Sequence, residues 1–378
     1  MDTCSCQSSL KPSIVLRAAV GLTAPLLLVA YLGLFSTARA DEPEIPDTPT
    51  DWEEPIFSLD GPFGPVEYRA GRGLHLGHTG LNIGGFSTAE IEREEGEPGE
   101  FALDGINFLI LFEPASFVRG FAEFEIGDLA TWETNSDNVT SDPSFIVERL
   151  YGDLIYNDAL NLRTGKFQTP IGRWNMVRAE PLTWTATEPV VVEVGFDEHQ
   201  TGGALFGSFY PGSNTLNYWI YGQYLDPLDP ESDSMNADRS VGGRIEYGDP
   251  FGDLSVGASF LASELNDDWS YLGGVDAQWR IGNLELTAEF TYSDGDIEDR
   301  DLWDVYLQGV YEIVPNFYFV ARYEHFDRLG SSEDADLADL GFNWAPVQWL
   351  RFKVDYRVST HETEDVRRGL KASFSILF

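Results

Sequence analysis

Charged side chains at every second position are the residues of this sequence best placed to do chemistry. In the stretch 350–359, Arg351, Lys353, Asp355 and Arg357 alternate with large apolar residues. Alternate side chains of an extended strand point to the same face, so these charges would line one face together. Charges that face one another across a wet cavity orient polar solutes, and rings of charge set ion preference.

The same parity predicts which side chains line such a cavity. Bases fall on the early and closing strands, which become neighbours if the sheet closes, and acids fall on strands across from some of them. The predicted lining residues are Arg119, Arg149, Arg163, Glu285, Glu289, Asp304, Glu312, Arg351, Lys353, Arg357 and Lys371. The plainer alternative for any single one of them is a solvated polar residue with no role in selectivity.

The last stretch, Val366 to Phe378, shows which kind of sheet could carry this pattern. Leu370, Phe374 and Phe378 belong to one apolar parity, with basic residues and serines on the other. A membrane barrel alternates in this way, apolar toward lipid and polar toward a wet lumen. The ending resembles the C-terminal signature of bacterial outer-membrane proteins, which implies recognition of Phe378 by the outer-membrane assembly machinery.

Strand-like stretches with this alternation recur from Leu74 to the end of the chain, which defines a predicted barrel over 74–378. Short connections alternate with longer, mostly acidic ones, as in transmembrane barrels. The sixteen segments are 74–92, 101–113, 117–131, 146–157, 160–168, 201–210, 214–226, 240–248, 254–265, 269–281, 284–293, 301–314, 316–328, 335–345, 349–361 and 365–378. The sequence therefore predicts an all-β protein, a transmembrane antiparallel β-barrel of about sixteen strands around an aqueous channel.

The connection from Thr169 to Gln200 is too long for an ordinary turn. Connections of this length are usually functional or disordered, and this one keeps two tryptophans and a run of valines. We expect it to fold into the lumen as a constriction loop; an outer cap is the alternative. Its candidate constriction residues are Arg173, Arg178, Glu180, Glu188 and Glu193. With Asp197 and Glu198 the loop carries five acids against two bases, which favours a weak cation preference.

A family resemblance appears where this loop begins. The segment Thr164-Gly165-Lys166-Phe167-Gln168-Thr169-Pro170-Ile171-Gly172 resembles a motif of the phosphate-selective porin O and P family. The resemblance implies a sixteen-stranded outer-membrane barrel, a homotrimer and lumen-folded loops. This chain departs from the family in charge, because it has no dense arginine ladder or lysine cluster. The resemblance therefore extends to fold and pore role, while anion or phosphate selectivity stays an alternative.

The N-terminal part of the chain has a different character. Residues 1–40 combine Lys11 and Arg17 with an apolar run and the small-residue site Ala38-Arg39-Ala40, which predicts a signal peptide. Residues 41–73 are rich in proline and acid and predict a flexible periplasmic arm. Both cysteines lie within 1–40, so no disulfide framework is expected after cleavage. Acidic residues outnumber basic ones 63 to 24, which argues against nucleic-acid binding.

Other chemistries find less support in the sequence. His75 and His78 are three residues apart on a predicted strand and would point to opposite faces, which argues against a shared metal. A barrel enzyme built on His199 or His325 would need a nucleophile and an orienting group in reach, and no motif supplies them. We expect no enzymatic activity, no metal and no cofactor. The leading hypothesis is a porin in the cell outer membrane, in contact with lipid and lipopolysaccharide; a plugged structural barrel is a further alternative.

Overall fold

The computed structural model describes residues 55–136, 139–228, 237–249, 253–297, 301–329, 334–361 and 366–378, without the side chains of Glu193 and Val194. The predicted signal peptide and residues 41–54 of the predicted arm lie outside the described residues. The strands are β1 Phe57–Gly61, β2 Gly64–Arg69, β3 Gly73–Leu76, β4 Leu81–Glu94, β5 Glu100–Ala115, β6 Val118–Gly127, β7 Ala130–Glu133, β8 Val139–Thr140, β9 Ser144–Asn157, β10 Leu160–Gln168, β11 His199–Phe209, β12 Thr215–Gln223, β13 Arg239–Gly248, β14 Leu254–Leu265, β15 Asp268–Ile281, β16 Leu284–Gly295, β17 Leu302–Val314, β18 Phe317–Arg328, β19 Asp334–Val347, β20 Leu350–Ser359 and β21 Gly369–Leu377.

Sixteen of these strands, β4–β6 and β9–β21, form one closed antiparallel barrel. Each strand pairs with the next along the chain, and β6 pairs with β9 across the β7–β8 segment. The ring closes where β21 pairs with β4, from Gly369 opposite Glu94 to Leu377 opposite Phe86. The predicted sixteen-stranded barrel is confirmed.

The remaining strands are additions to the ring. Strands β1, β2 and β3 form an antiparallel meander that joins the barrel through β4, where Leu74 pairs with Ile83. The described part of the predicted arm, residues 55–73, therefore contains β1, β2 and the first residue of β3. Strands β7 and β8 form a hairpin that extends the long-loop end of β5. The left-handed Asp128 separates β6 from β7, which the sequence analysis had joined in the segment 117–131.

The two faces of the wall differ as the alternation predicts. On β20 the side chains of Phe352, Val354 and Tyr356 are exposed on the outer surface, whereas those of Lys353 and Asp355 are buried inside. The barrel is thus apolar outside and polar inside, the reverse of a soluble β-sandwich, whose apolar faces are buried against each other.

Short helical turns occur in two connections. A 3₁₀ turn covers Gly77–Thr79, two more cover Asn175–Val177 and Glu180–Leu182, and the α-helix α1 covers Val190–Val194. Among the described residues, no helix is long and apolar enough to cross a membrane.

The connection between β10 and β11, residues 169–198, lies inside the barrel, and we call it the internal loop. Its apolar side chains make the buried core, packed against inward-facing residues of the wall. One cluster joins Trp174 and Val190–Val192 of the loop to Leu302, Phe326, Ala335, Leu337 and Val366. A second joins Ile171 and Phe196 to Phe167, Ala204, Tyr221, Leu261 and Leu272. The predicted lumen-folded loop is confirmed.

Candidate functional site: the lumen and its internal loop

The first turn of the internal loop is fixed by one buried carboxylate. Gly172 adopts a left-handed conformation with φ of 59°, and a Cβ there would collide with the carboxylate of Glu289 on β16. Only glycine tolerates both conditions. Glu289 Oε1 then accepts hydrogen bonds from the backbone N–H groups of Arg173 at 2.9 Å and Trp174 at 2.8 Å. Glu289, a predicted lining residue, thus binds the loop.

The side chain of Arg173 ties the same turn to three strands. It pairs with Glu246 on β13 at 3.1 Å and with Asp276 on β15 at 3.0 Å, and it donates to Ser255 Oγ on β14 at 2.7 Å. Arg173 is largely buried, so these charge-assisted bonds form with little competition from water. Arg173 is therefore an anchor of the loop.

The middle of the loop is held by Lys353 on β20. Its side chain is fully buried, and Nζ donates to the carbonyls of Glu180 at 2.8 Å and Thr185 at 3.1 Å and to Thr183 Oγ1 at 2.8 Å. The Glu180 carboxylate pairs with the same ammonium group and accepts from Ser373 Oγ at 2.8 Å. All three ammonium donors are thus directed at the loop.

Two arginines hold the segment that follows. Arg322 on β18 donates to Thr187 O at 3.1 Å and Glu188 O at 3.1 Å, and Arg357 on β20 donates to Glu188 O at 2.6 Å. Both guanidinium groups also pair with Asp339 on β19, at 2.8 and 2.9 Å. This buried network replaces the water that a backbone in an open lumen would bind.

Acidic wall residues bind the N–H groups of the same segment. Asp355 accepts from Ala186 at 2.7 Å and Thr187 at 3.2 Å, and Glu324 accepts from Val190 at 2.5 Å. Bases of the wall therefore bind loop carbonyls, and acids bind loop amides. The match leaves few buried polar groups of this segment without a protein partner, as buried backbone requires.

The loop returns to the wall at β11 through Asp197 and Glu198. Thr169 Oγ1 donates to Asp197 O at 2.6 Å, which closes the base of the loop, and Asp197 accepts from Ala237 N at 3.1 Å. Glu198 pairs with Arg178 at 2.9 Å. Burial raises the pKa of Glu198 to about 7, although His199 and Arg178 favour its charged form.

These contacts alter the predicted electrostatics of the loop. Arg178 pairs with both Glu188, at 3.0 Å, and Glu198, while Glu180 pairs with Lys353. The side chain of Glu193 is not described. Glu180, Glu188 and Glu198 therefore each have a basic partner. Likewise, Lys353 is sealed beneath the loop and does not border the remaining lumen.

The opposite side of the barrel, β4–β6 with β9, β10 and β21, is not covered in this way; we call it the open wall. Four predicted bases lie on these strands. Arg119 lies beside a short turn at the start of β6, and the other three each have an acidic partner on the wall. Arg149 pairs with Glu123, Arg163 pairs with Asp153 at 2.8 Å, and Lys371 pairs with Glu90 at 3.1 Å. The side chains of all three bases keep about a quarter of their surface accessible, since 23%, 23% and 26% are exposed.

Further acids share this wall, and the sequence analysis missed them. Glu125 lies close enough to Asp104 and to Glu148 for electrostatic repulsion, and Asp104 also repels Glu180 of the loop. Glu125 has the same parity on β6 as the predicted Arg119, so spacing could have identified it. Asp104 on β5 and Glu148 on β9 are the extra residues where the pairing is irregular, opposite Thr88/Ala89 and Glu123/Phe124. An extra residue of this kind breaks the alternation, so spacing alone does not assign its face.

The other predicted lining residues serve local structure. Arg119 pairs with Glu113 at 2.6 Å beside a short turn. Glu312 accepts from Asn316 N at 3.0 Å at another short turn. The remaining three contact the loop or its surroundings: Glu285 accepts from Trp184 Nε1 at 2.8 Å, Arg351 lies over the Trp184 ring at 5.6 Å, and Asp304 is buried against Glu324.

The two histidines considered for a hydrolytic site do not meet. His325 pairs with Asp336 at 2.9 Å and stacks on Trp303, on the outward face of β18. His199 lies at the base of the internal loop, beside Glu148 and Glu198. The barrel wall separates these two sites.

Comparisons with known proteins were made for sequence and for structure. No protein-family model matches the chain, and no curated protein sequence matches it. OmpF of Salmonella typhi, solved with daunomycin, aligns with a TM-score of 0.57 and 15% identity over 80% of this chain and 99% of its own. A loop-deletion mutant of OmpT, an outer membrane protein of Vibrio cholerae, aligns with a TM-score of 0.57 and 12% identity over 79% and 99%. An anion-selective porin from Comamonas acidovorans aligns with a TM-score of 0.55 and 10% identity over 79% and 98%.

These likenesses establish that the chain shares the fold of bacterial outer-membrane porins. At such identities they establish the fold alone. No match supports the narrower resemblance of residues 164–172 to the phosphate-selective porin O and P family, which stays a prediction.

Proposed function

We propose that this chain forms a water-filled channel in the cell outer membrane, through which small hydrophilic solutes or ions diffuse passively. The observation that carries the proposal is the asymmetry of the lumen. The internal loop is bound mainly along β13–β20, while charged side chains of the open wall keep accessible surface. A passage between the loop and the open wall would be narrow and lined by charge, which suits ions and small polar solutes.

The outer surface supports a membrane location. Apolar side chains such as Phe260, Val275 and Leu340 are about half exposed around the barrel. Water would penalise a continuous apolar band of this kind, whereas lipid would not. The outer membrane, with its lipid and lipopolysaccharide, is the proposed environment, and the assembly machinery is the proposed partner of Phe378.

Charge on the open wall supports a weak cation preference. Arg149, Arg163 and Lys371 on this wall are each matched by an acid, and Asp104 and Glu125 are two further acidic groups there. A low-dielectric wall focuses this field into the passage and concentrates cations there. Arg322 and Lys353, which an anion pathway could use, are sealed under the loop. The anion- or phosphate-selective alternative therefore has less support.

A homotrimer is the proposed assembly. OmpT of Vibrio cholerae in its trimer form aligns with a TM-score of 0.52 and 13% identity over 79% of this chain and 99% of its own. We propose no enzymatic activity and no cofactor.

Planar-bilayer recording tests the channel directly. We expect stepwise conductance that scales with salt concentration and a reversal potential on the cation side in a salt gradient. Correctly folded protein that gives no conductance steps would favour the plugged structural barrel, and a clear anion preference would revive the phosphate-type alternative.

A charge variant tests the source of the preference. The double variant D104N/E125Q should shift the reversal potential toward anions, because it removes two lumen acids that lie outside the base–acid pairs of the open wall. The matched control E100Q/E133Q removes the same charge on the exposed end of β5 and on β7, where salt screens it within about 10 Å at 0.1 M. An equal shift in both variants would locate the selectivity outside the lumen.

A further inference from the structure

Three side chains from two separate parts of the chain converge where the internal loop rejoins the wall. Glu148 lies on β9, Glu198 is the last residue of the loop, and His199 is the first residue of β11. One potential ligand atom of each lies within 4.8 Å of the other two. His199 Nε2 is 3.6 Å from Glu148 Oε2 and 3.7 Å from Glu198 Oε1.

These separations suit a shared ion better than direct bonding. Nitrogen and oxygen atoms in a hydrogen bond lie about 2.7–3.2 Å apart, so Nε2 does not bond either carboxylate at these distances. Ligands bound at about 2.1 Å around a tetrahedral zinc ion lie about 3.4 Å from one another. The two distances from His199 are close to that value.

The surrounding contacts hold the three groups in place. Glu198 uses Oε2 to pair with Arg178 at 2.9 Å, which leaves Oε1 directed at the imidazole. The Glu198 carbonyl accepts from Thr169 N at 2.8 Å and from Asn175 Nδ2 at 3.3 Å, so its backbone is fixed. His199 is paired in the sheet opposite Gln168. Such outer contacts orient the ligands of protein metal sites.

We propose that Glu148, Glu198 and His199 form a binding site for a divalent transition metal of the zinc class. Imidazole together with carboxylates suits zinc, whereas calcium and magnesium prefer oxygen ligands alone. Three protein ligands leave a fourth position for water. The bound ion would link the end of the internal loop to β9 and would offset two negative charges in the lumen.

Zn²⁺ binding is measured without a channel assay. A result against the metal site can therefore be told apart from a result against the proposed channel. Protein without an affinity tag, folded in detergent micelles and stripped with a chelator, would be titrated with Zn²⁺ by calorimetry. Co²⁺ would then be added to report tetrahedral coordination through its visible absorption. We expect one saturable site per chain, for which Zn²⁺ and Co²⁺ compete.

Variants assign the site to these residues. His199→Gln and Glu148→Gln should each weaken Zn²⁺ binding more than tenfold, since losing even an outer contact of a metal site typically costs about 10–100-fold. His325→Gln is the matched control, because His325 lies on the outward face with Asp336. Glu148 is partly accessible, so E148Q decides the question if the buried His199 variant does not fold. Absence of saturable binding, or binding unchanged in a folded variant, would overturn the site.

Discussion

Replacing Arg322 with methionine should loosen the internal loop from the barrel wall. The Arg322 guanidinium is fully buried and makes four hydrogen bonds to the loop, to Thr185 Oγ1 at 3.1 Å, to Thr187 O at 3.1 Å and Oγ1 at 3.0 Å, and to Glu188 O at 3.1 Å. Methionine fills similar space but donates none of these bonds. The Thr187 carbonyl would then be buried without that donor, and the Glu188 carbonyl would keep only Arg357, which favours a state in which these groups reach water.

The expected free-energy cost of Arg322→Met follows from the burial of the guanidinium group. Removing one partner of a buried ionic network costs about 3–5 kcal/mol, and here the remaining partner Asp339 keeps its pair with Arg357 at 2.9 Å. Because 1.4 kcal/mol is a factor of ten, the equilibrium between docked and undocked loop should shift roughly a hundred- to a few-thousand-fold. Lys353 and Glu289 still hold the loop, so the docked state should remain the major one.

A cysteine placed at Ala186 reports this equilibrium. Ala186 is 2% exposed, and Cys4 and Cys6, the two native cysteines, lie within residues 1–40. In protein expressed without those residues, a water-soluble maleimide should label Ala186→Cys slowly, at a rate set by loop opening. Adding Arg322→Met should raise that rate at least tenfold and increase single-channel current noise.

The control is Arg239→Met, which removes a base that is 71% exposed and pairs with Glu264 at 3.3 Å. Exposed ion pairs contribute about 0–1 kcal/mol, so labelling at Ala186→Cys should stay near the wild-type rate. If a folded Arg322→Met protein labels no faster than the Arg239→Met protein, the wall contacts do not hold the loop, and the reasoning is refuted.

Two further changes test the loop and the closure of the barrel. Gly172→Ala should raise both Ala186→Cys labelling and conductance, because a Cβ at φ of 59° collides with Glu289; wild-type values would mean that the first turn can shift freely. Deleting Phe378 should reduce insertion into the outer membrane, since its backbone bonds Gly85 twice at 2.9 Å and its ring packs on Phe108. Surface yield of the chain ending at Leu377 measures this, and a normal yield would argue against a signal role for the last residue.

The sequence by itself determined the faces of the strands and nearly their number. Successive side chains of a strand point to opposite sides, so Phe352, Lys353 and Val354 could be assigned outward or inward from spacing alone. Turn residues and the lengths of connections then separated the strands. The meander β1–β3 escaped detection because its strands are short and interrupted by Pro65 and several glycines, which leaves no run of alternation.

Only the tertiary structure decided what each inward charge contacts. Lys353 and Arg163 have the same parity signal, yet one is sealed beneath the internal loop and the other lies on the open wall. Spacing fixes the direction of a side chain but carries no information on which part of a distant loop will cover it. The convergence of Glu148 with His199 is likewise a product of barrel closure and loop return, since it depends on pairing between strands that are remote in sequence. The alternation of side chains along a strand decides which face of the wall a residue lies on. Pairing between strands remote in sequence decides which residues it contacts.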